Sequence, residues 1–164
     1  MNPWITLALT TYNQERFVSE AVKAALSQTY SPLEIIISDD CSKDKTYQKI
    51  QETIQNYSGP HRILVNRNER KHGVAGNLNR VIEISSGQLI INANGDDISL
   101  PDRVAQTYQC WDVNGKKTLA IFTQARIIDE TGMAHGLVLD RVAPEMLTVE
   151  WMLGNYPIAY GHGL

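Results

Sequence analysis

The sequence of 164 residues is 43% apolar and 20% charged, a globular composition that excludes intrinsic disorder and fits a single domain. Its net charge of −3 excludes the basic surface of a nucleic-acid-binding protein, and no apolar run approaches the length of a membrane span. Cys41 and Cys110 lie far apart with no Cys-x-x-Cys spacing, which indicates free thiols in a reducing compartment. We therefore expect a cytoplasmic protein with no transmembrane segment in this chain and no nucleic-acid partner, of unknown oligomeric state.

Strand and helix patterns alternate through the first two-thirds of the chain. Short apolar runs, rich in β-branched residues, predict strands at residues 4–9, 33–38, 62–65 and 89–91. Apolar residues at spacings of three and four predict helices over residues 17–26, 47–57, 74–85 and 101–111. This order predicts an α/β fold with a mainly parallel sheet and helices on both faces.

The last third of the chain departs from this alternation. A further strand is predicted at residues 119–123, and residues 130–132 predict a turn between strands at residues 125–129 and 133–139. Such a hairpin adds an antiparallel element near the C-terminal end, and residues 146–153 predict a last helix.

Two residues are predicted to bound helices. Asn13 precedes the first helical pattern, and an asparagine side chain commonly caps the free amide groups of a first turn. Gly87 follows the third helical pattern and fits the position where a left-handed residue ends a helix.

Polar residues follow three of the predicted strands: residues 10–13 (Thr-Thr-Tyr-Asn), Asp39-Asp40, and residues 94–97 (Asn-Gly-Asp-Asp). Ligands of open α/β sheets bind at the carboxyl ends of the strands, so these side chains mark the expected site. Paired aspartates are also common in solvated turns before a helix, so Asp96 and Asp97 by themselves leave that interpretation open.

The sequence excludes two common ways of binding a diphosphate. No glycine precedes Gly59, so no Gly-x-Gly-x-x-Gly turn follows the first strand, and no Gly-x-x-x-x-Gly-Lys run occurs. A divalent metal held by Asp96, with support from Asp97, would neutralise a bound diphosphate, and Mg²⁺ or Mn²⁺ suits such oxygen ligands. In this arrangement Tyr12 could pack on the base and Asp40 could accept a hydrogen bond from it.

Several motifs occur together and in a fixed order. Residues 10–13, residues 26–30 (Leu-Ser-Gln-Thr-Tyr) and residues 37–42 (Ile-Ser-Asp-Asp-Cys-Ser) come first. Residues 73–79 (Gly-Val-Ala-Gly-Asn-Leu-Asn) and Ser86-Gly87 follow, and residues 94–97 precede Pro101-Asp102-Arg103. From about residue 4 to 139 this ordered set resembles the family two glycosyltransferases of the GT-A fold, whose Asp-x-Asp metal motif corresponds to residues 94–96.

The resemblance implies a three-layer α/β/α fold and an inverting transferase that uses a nucleotide-sugar donor, often UDP-linked. Residues 1–164 would form one donor-binding domain without the acceptor-binding C-terminal part. The acceptor would be a saccharide, a lipid-linked molecule or a protein, in the synthesis of a cell-surface polysaccharide.

The resemblance also assigns roles to single residues. Thr10 and Tyr12 would line the nucleoside pocket, and Asp40 would contact the base. Asn94 replaces the first aspartate of the metal motif, and its amide could hydrogen-bond a ribose hydroxyl. Asp96 would bind Mn²⁺ or Mg²⁺ directly, with Asp97 beside it.

The sequence departs from the family pattern at two places. Leu78 stands where many members have an arginine, so a basic contact to the donor would be missing or supplied by Arg67, Arg70 or Lys71, which otherwise form a solvated loop. No Glu-Asp pair follows Asp97, so the catalytic base is unknown and is expected beyond Leu164.

Two other functions remain as alternatives. A non-catalytic nucleotide-binding or interaction module would explain the missing acidic pair. A sugar-phosphate nucleotidylyltransferase would need a glycine-rich loop after the first strand, and residues 10–16 contain no glycine.

Overall fold

The computed structural model describes residues 2–129 and 131–137. The chain divides into two compact units, Met1–Ile121 and Phe122–Leu164. No helix within the described ranges has both the length and the apolar character needed to cross a bilayer. The helix predicted over residues 146–153 lies outside the described residues.

The first unit is built on a parallel sheet of four strands, β1 (Ile5–Thr11), β2 (Leu33–Asp39), β3 (Arg62–Arg67) and β4 (Leu89–Asn94). Their order across the sheet is β3-β2-β1-β4, so β1 pairs with both β2 and β4. The registers align Thr10 with Ser38 on one side and with Asn94 on the other. The carboxyl ends of these strands therefore meet at one edge of the sheet, as the sequence predicts.

Four helices cover the two faces of this sheet: α1 (Val18–Leu26), α2 (Thr46–Ile54), α3 (Gly73–Ile84) and α4 (Arg103–Val113). β1 and β2 are buried along their whole length, so alternate side chains enter two separate cores. Leu7 and Ile35 pack in one core with residues of α1, α2 and α4. Ala8 and Ile36 pack in the other with Val81 of α3. The predicted three-layer α/β/α architecture is confirmed.

The second unit contains the predicted hairpin, in which β5 (Arg126–Ile128) pairs antiparallel with β6 (Ala134–Leu137). Asp129 closes its turn by accepting hydrogen bonds from the amides of Thr131 and Met133 and from His135 Nε2. These bonds hold the pKa of the Asp129 carboxyl well below its ordinary value, the bond from His135 first among them.

Three local predictions are wrong. Asn13 does not cap α1, which begins at Val18 after Phe17, because Asn13 adopts a left-handed φ of 52° and bonds to the loop after β2. Gly87 is not a left-handed helix end; a Cβ there would collide with the Thr6 amide, so close packing against β1 requires the glycine. Residues 119–123 form no strand, and the side chain of Leu119 is fully exposed.

A buried carboxylate stabilises the edge of the sheet formed by the amino ends of the strands, opposite their carboxyl ends. Glu34 is the second residue of β2. It has an exposed fraction of 1% and accepts hydrogen bonds from Thr6 Oγ1 (2.9 Å) and from the Ser86 amide (2.9 Å). Arg62 Nη1 lies 3.2 Å from the same carboxylate. These contacts tie the turn between α3 and β4 to the sheet. They also compensate for the burial of the Glu34 carboxylate, because a buried charge is stable only with such partners.

A buried histidine at this end makes stability depend on pH. His61 Nε2 donates to the Gln28 carbonyl oxygen (2.8 Å), its ring stacks on Tyr57, and within the described residues Nδ1 is buried without a partner. Burial lowers the pKa of His61 below the ordinary 6.5, although the bond to Gln28 opposes this. The folded protein therefore prefers the neutral ring.

We expect the free energy of unfolding to fall as the pH drops below 6.5. The unfolded chain then binds a proton that the folded chain resists, and the contribution is fully present above 6.5 and lost toward the lower pKa of the folded state. Urea unfolding between about pH 5 and 8 should show a weaker pH dependence in His61→Gln, whose amide can still donate to Gln28. Parallel curves for the two proteins would contradict the assignment.

Candidate functional site

Main-chain hydrogen bonds join the loops that leave the four parallel strands. The Gly95 amide donates to the Thr10 carbonyl oxygen (2.9 Å), and the Asp40 amide donates to that of Thr11 (2.9 Å). The Asn68 amide donates to the Asp39 carbonyl oxygen (2.9 Å). The predicted site residues of β1, β2 and β4 are thus brought together in one row at the carboxyl edge of the sheet.

The loop after β1 is bonded along its length to the loop after β2. The amide of Asn13 donates to Ser42 Oγ (2.8 Å), and its side-chain oxygen accepts from the Lys43 amide (2.9 Å). Further along, the Glu15 amide donates to Asp44 Oδ2 (3.1 Å). Partial burial raises the pKa of Asp44, but hydrogen bonds from Thr46 and Glu15 outweigh it and hold the pKa below its ordinary value. Tyr12, at the start of this loop, is therefore held on an ordered turn.

Asp39 is an internal structural acid that holds the turn after β2. Its side chain is fully buried and accepts hydrogen bonds from the amide and the hydroxyl of Ser42. Arg67 Nε lies 3.3 Å from Oδ2, and the same guanidinium donates to the Ser42 carbonyl oxygen and stacks over Tyr47. Arg67 is thus committed to the turn after β2, which removes one of the three predicted basic candidates for a donor contact.

Asp40 occupies the N-terminal end of α3. Its carboxylate is 2% exposed and accepts the main-chain amides of His72 (2.8 Å) and Gly73 (2.7 Å) together with Asn68 Nδ2 (2.9 Å). An anion is favoured there because the first amides of a helix have no partner within the helix. Three donors leave part of the acceptor capacity of this carboxylate unused, since its two oxygens offer about four lone pairs.

A buried amide network supports Asp40 from below. Asn77 Oδ1 accepts from Ser38 Oγ (2.6 Å) and from Asn68 Nδ2 (3.0 Å), and Asn77 Nδ2 donates to the Ser38 carbonyl oxygen (3.0 Å). No role was predicted from the sequence for Asn68 or for Asn77, although Asn77 lies within the motif of residues 73–79 and both side chains are buried. The network joins the ends of β2 and β3 to α3 and so fixes the position of Asp40.

Lys71 covers the aromatic ring that is predicted to pack on a base. Its Nζ lies 3.9 Å from the ring centroid of Tyr12, a cation–π contact in a half-buried setting. Lys71 belongs to the loop whose next residues, His72 and Gly73, donate to Asp40. Tyr12, Lys71 and Asp40 therefore form one wall of the site.

The two carboxylates of the turn after β4, those of Asp96 and Asp97, differ in their hydrogen bonds. Asp97 Oδ2 accepts from Asn94 Nδ2 (2.8 Å), whereas Asp96 is exposed and has no hydrogen bond or ion pair to any described residue. Gly95, which precedes both acids, is buried, and a Cβ there would come within 2.6 Å of Thr11 Oγ1. The glycine therefore lets the turn approach β1 closely.

Asp97 also faces the first turn of α4. Arg103 is half-buried there and donates to the Asn92 carbonyl oxygen (2.7 Å) and to Ser99 Oγ (2.9 Å). Burial lowers the pKa of Arg103 from its ordinary value, and the charge of Asp97 opposes that shift. The arginine thus fixes the segment between β4 and α4 and places a positive charge near Asp97.

The carboxylate oxygens of the turn after β4 can be compared with those that a divalent metal requires. Within the described residues, no group of three histidine, cysteine or acidic side chains is close enough to enclose an ion. Mg²⁺, however, is commonly held by one or two carboxylates together with substrate phosphates and water. The unpartnered Asp96 carboxylate fits that mode of binding, with the second carboxylate of Asp97 adjacent in sequence.

Comparisons with known proteins agree with this architecture. The family model described as glycosyl transferase family 2 matches residues 6–159. The curated UDP-Glc:alpha-D-GlcNAc-diphosphoundecaprenol beta-1,3-glucosyltransferase WfgD of Escherichia coli is 30% identical over 151 residues, which cover 92% of this chain and 55% of that protein. Chondroitin synthase of Escherichia coli is 28% identical over 132 residues, which cover 79% of this chain and 18% of that protein. The chain spans about half or less of the length of such relatives.

Solved structures share the fold. The mannosyltransferase PcManGT of Pyrobaculum calidifontis, solved with GDP-Man and Mn²⁺, superposes with a TM-score of 0.63 at 19% identity, over 68% of this chain and 33% of that one. TarS of S. aureus, solved with UDP-GlcNAc, gives 0.59 at 23% identity, over 68% of this chain and 32% of that one. At these identities the likeness establishes the GT-A fold.

Proposed function

Because the chain belongs to glycosyltransferase family 2, we propose that its parallel sheet forms the donor-binding part of a nucleotide-sugar transferase. One observation carries this proposal: the ends of β1, β2 and β4 bring a half-buried aromatic ring, a buried carboxylate and an unpartnered carboxylate to one edge. An aromatic face, an acceptor for base N–H groups and an oxygen ligand for a metal are what a nucleoside diphosphate requires.

Each wall of the site has a role in this proposal. The base stacks against Tyr12 after Lys71 moves off its ring, and the remaining acceptor capacity of Asp40 receives a hydrogen bond from the base. Thr10 and Asn94 line the nucleoside, where the Asn94 amide, oriented by Asp97, meets a ribose hydroxyl. Asp40 stays fixed during binding because three donors already hold it.

Mn²⁺ or Mg²⁺ would be held by Asp96, with Asp97 as the second acid. When bound, such an ion supplies positive charge that stabilises the diphosphate leaving group. Arg70 and Lys71 offer further positive charge on the loop after β3. Arg70 also lines an open groove together with Arg67 of β3 and Arg80 of α3. Asp97 keeps Asn94 and the start of α4 in place.

The finer assignments concern donor, acceptor and compartment. A UDP-sugar donor and a lipid-linked saccharide acceptor are supported by the name of the relative that is 30% identical. Synthesis of a cell-surface polysaccharide would follow from such an acceptor. Cys41 and Cys110 are both free, which favours the cytoplasm as a reducing compartment.

The test is a thermal melt with nucleotide and metal. UDP at about a hundred times its dissociation constant should stabilise the protein by roughly 2.7 kcal/mol in Mn²⁺, since ligand binding to the folded state alone raises the free energy of unfolding. The same UDP concentration with excess chelator should raise the melting temperature much less. The sequence has neither of the two glycine-rich motifs that bind a diphosphate without relying on a metal held by carboxylates.

GDP and ADP serve as matched controls for the base, since they carry the same diphosphate. Equal shifts with all three nucleotides would contradict a base-specific pocket at Asp40. An equal shift of UDP with and without metal would contradict the role of Asp96, and no shift with any nucleotide would contradict the donor site.

A further inference from the structure

Gln28 lies just after the end of α1. It is far along the chain from residues 94–97, the proposed metal-binding turn, yet its side chain reaches the segment that follows this turn. It is 4% exposed, and its Nε2 donates to the Leu100 carbonyl oxygen (2.8 Å). Its Oε1 accepts from the Val104 amide (3.0 Å). One side-chain amide therefore bridges two main-chain groups on either side of the start of α4.

The Val104 amide is the group that most needs this partner. The Val104 amide belongs to the first turn of α4, whose amides have no acceptor within the helix, and Asp102 at the N-cap makes no capping bond through its side chain. The Leu100 carbonyl oxygen also accepts from the Arg103 amide (3.0 Å), so Gln28 provides a second donor to it. The Thr29 amide adds a parallel bond to the Pro101 carbonyl oxygen (2.9 Å). Thr29 Oγ1 donates to the same oxygen (3.2 Å), so residues 28 and 29 hold the start of α4 through four hydrogen bonds.

The start of α4 in turn holds the metal-binding turn. Arg103, next to Val104, donates to the Asn92 carbonyl oxygen of β4 and to Ser99 Oγ, and its charge acts on Asp97. Asp97 accepts from Asn94. Hydrogen bonds therefore lead from Gln28 to the start of α4, and from Arg103 there to Asn92 and Ser99, which precede and follow Asp96 in the chain.

We propose that Gln28 is a positioning residue for the metal-binding turn: by clamping the start of α4, it fixes where the Asp96 carboxylate stands relative to the nucleoside wall. The inference rests on the proposed function for its ligand and on the described contacts for its geometry. Partners that orient a metal ligand without touching the ion typically change metal affinity 10–100-fold when removed.

Glutamine suits this position because the bridge needs a donor and an acceptor on one rigid group. Methionine has nearly the same length and shape but offers neither. Gln28→Met therefore removes both bonds to the start of α4, and with them the bond from Nε2 to the Ala24 carbonyl oxygen (3.2 Å), while leaving the volume filled. Glutamate keeps the acceptor for the Val104 amide and, when ionised, loses the donor to Leu100, so Gln28→Glu is a second variant should Gln28→Met fold poorly.

The first readout needs no nucleotide. In the ligand-free full chain, amide hydrogen exchange should become faster across residues 94–104 in Gln28→Met, while residues of β2 keep the exchange rates of the unsubstituted protein. Thr6→Val is the matched control, because it removes buried side-chain bonds to Glu34 and Gly87 at the opposite end of the sheet. It should lower the melting temperature without changing exchange across residues 94–104.

The second readout is UDP affinity by calorimetry, in Mn²⁺ and in excess chelator. Gln28→Met should weaken UDP binding about 10–100-fold in Mn²⁺ and leave binding in chelator within about twofold. A purely structural role would instead give the pattern of Thr6→Val, a lower melting temperature with unchanged metal dependence.

Failure of the inference and failure of the proposed function differ in these data. Unchanged exchange across residues 94–104 in both Gln28 variants would overturn the positioning role whatever the protein binds. Faster exchange together with unchanged Mn²⁺-dependent affinity would overturn it as well. Metal-independent UDP binding by the unsubstituted protein would overturn the proposed role of Asp96, while faster exchange would still support the clamp on α4.

Discussion

Asp96→Asn should weaken UDP binding in Mn²⁺ by at least about 100-fold, because a neutral amide replaces the unpartnered carboxylate proposed as the direct metal ligand. The fold should be unaffected, since Asp96 is exposed and bonds to no described residue. Removing one of two adjacent negative charges should even raise the melting temperature slightly. Calorimetry with UDP in Mn²⁺ and in excess chelator measures the effect, and in chelator the variant should match the unsubstituted protein.

Asp97→Asn is the matched control on the same turn. Its remaining side-chain oxygen can still accept from Asn94, so only the charge near Arg103 is lost. We expect a smaller loss of Mn²⁺-dependent binding than in Asp96→Asn. If Asp97→Asn loses the metal dependence and Asp96→Asn keeps it, the two carboxylates have been assigned the wrong way round.

Asp40→Ala should lower the free energy of unfolding by roughly 2–4 kcal/mol, because buried donors that lose their acceptor are costly. The His72 and Gly73 amides and Asn68 Nδ2 would all be left without this acceptor. UDP binding should also weaken, with the loss present in chelator as well as in Mn²⁺. Urea unfolding and calorimetry in both conditions check the two effects.

Two further variants separate the structural effect of Asp40 from its effect on the ligand. Asp40→Asn keeps one acceptor oxygen and the side-chain volume, so it should be more stable than Asp40→Ala and remain testable for binding. Glu34→Gln perturbs a buried carboxylate at the other end of the same strand and should lower stability while UDP affinity stays unchanged. Unchanged UDP affinity in both Asp40→Asn and Asp40→Ala would show that Asp40 serves the fold alone.

The order of the elements could be predicted because local sequence carries it. Continuous runs such as Ile35-Ile36-Ile37 need burial on both faces, and alternation with helical patterns then leaves a parallel sheet as the natural solution. The candidate site followed from the same argument, since Thr10, Asp40 and Asn94 stand at strand ends and the carboxyl ends of parallel strands share an edge.

What could not be predicted depends on contacts between distant parts of the chain. Asn13 looked like a helix cap because nearby residues permit it, but bonds to Ser42 and Lys43 determine its backbone. The commitment of Asp40 to α3 and of Gln28 to α4 involves partners with no fixed spacing in the sequence. Such tertiary hydrogen bonds override local preference, and only coordinates reveal them.

The central position of β1 links the site to the order in which the unit folds. Thr10 belongs to the first strand and Asn94 to the last strand of the sheet, so their pairing closes nearly the whole chain of the first unit into one loop. Contacts of such high sequence separation form late, because the loop-closure entropy must be met before they stabilise anything. During synthesis, β1 to β3 can be present before β4 leaves the ribosome, but residues 94–97, the proposed metal-binding turn, cannot yet join Tyr12 and Asp40 at the edge of the sheet. Nucleotide binding would therefore report completion of the sheet, and donor present in the cell would favour the fully folded chain over its partly folded precursors.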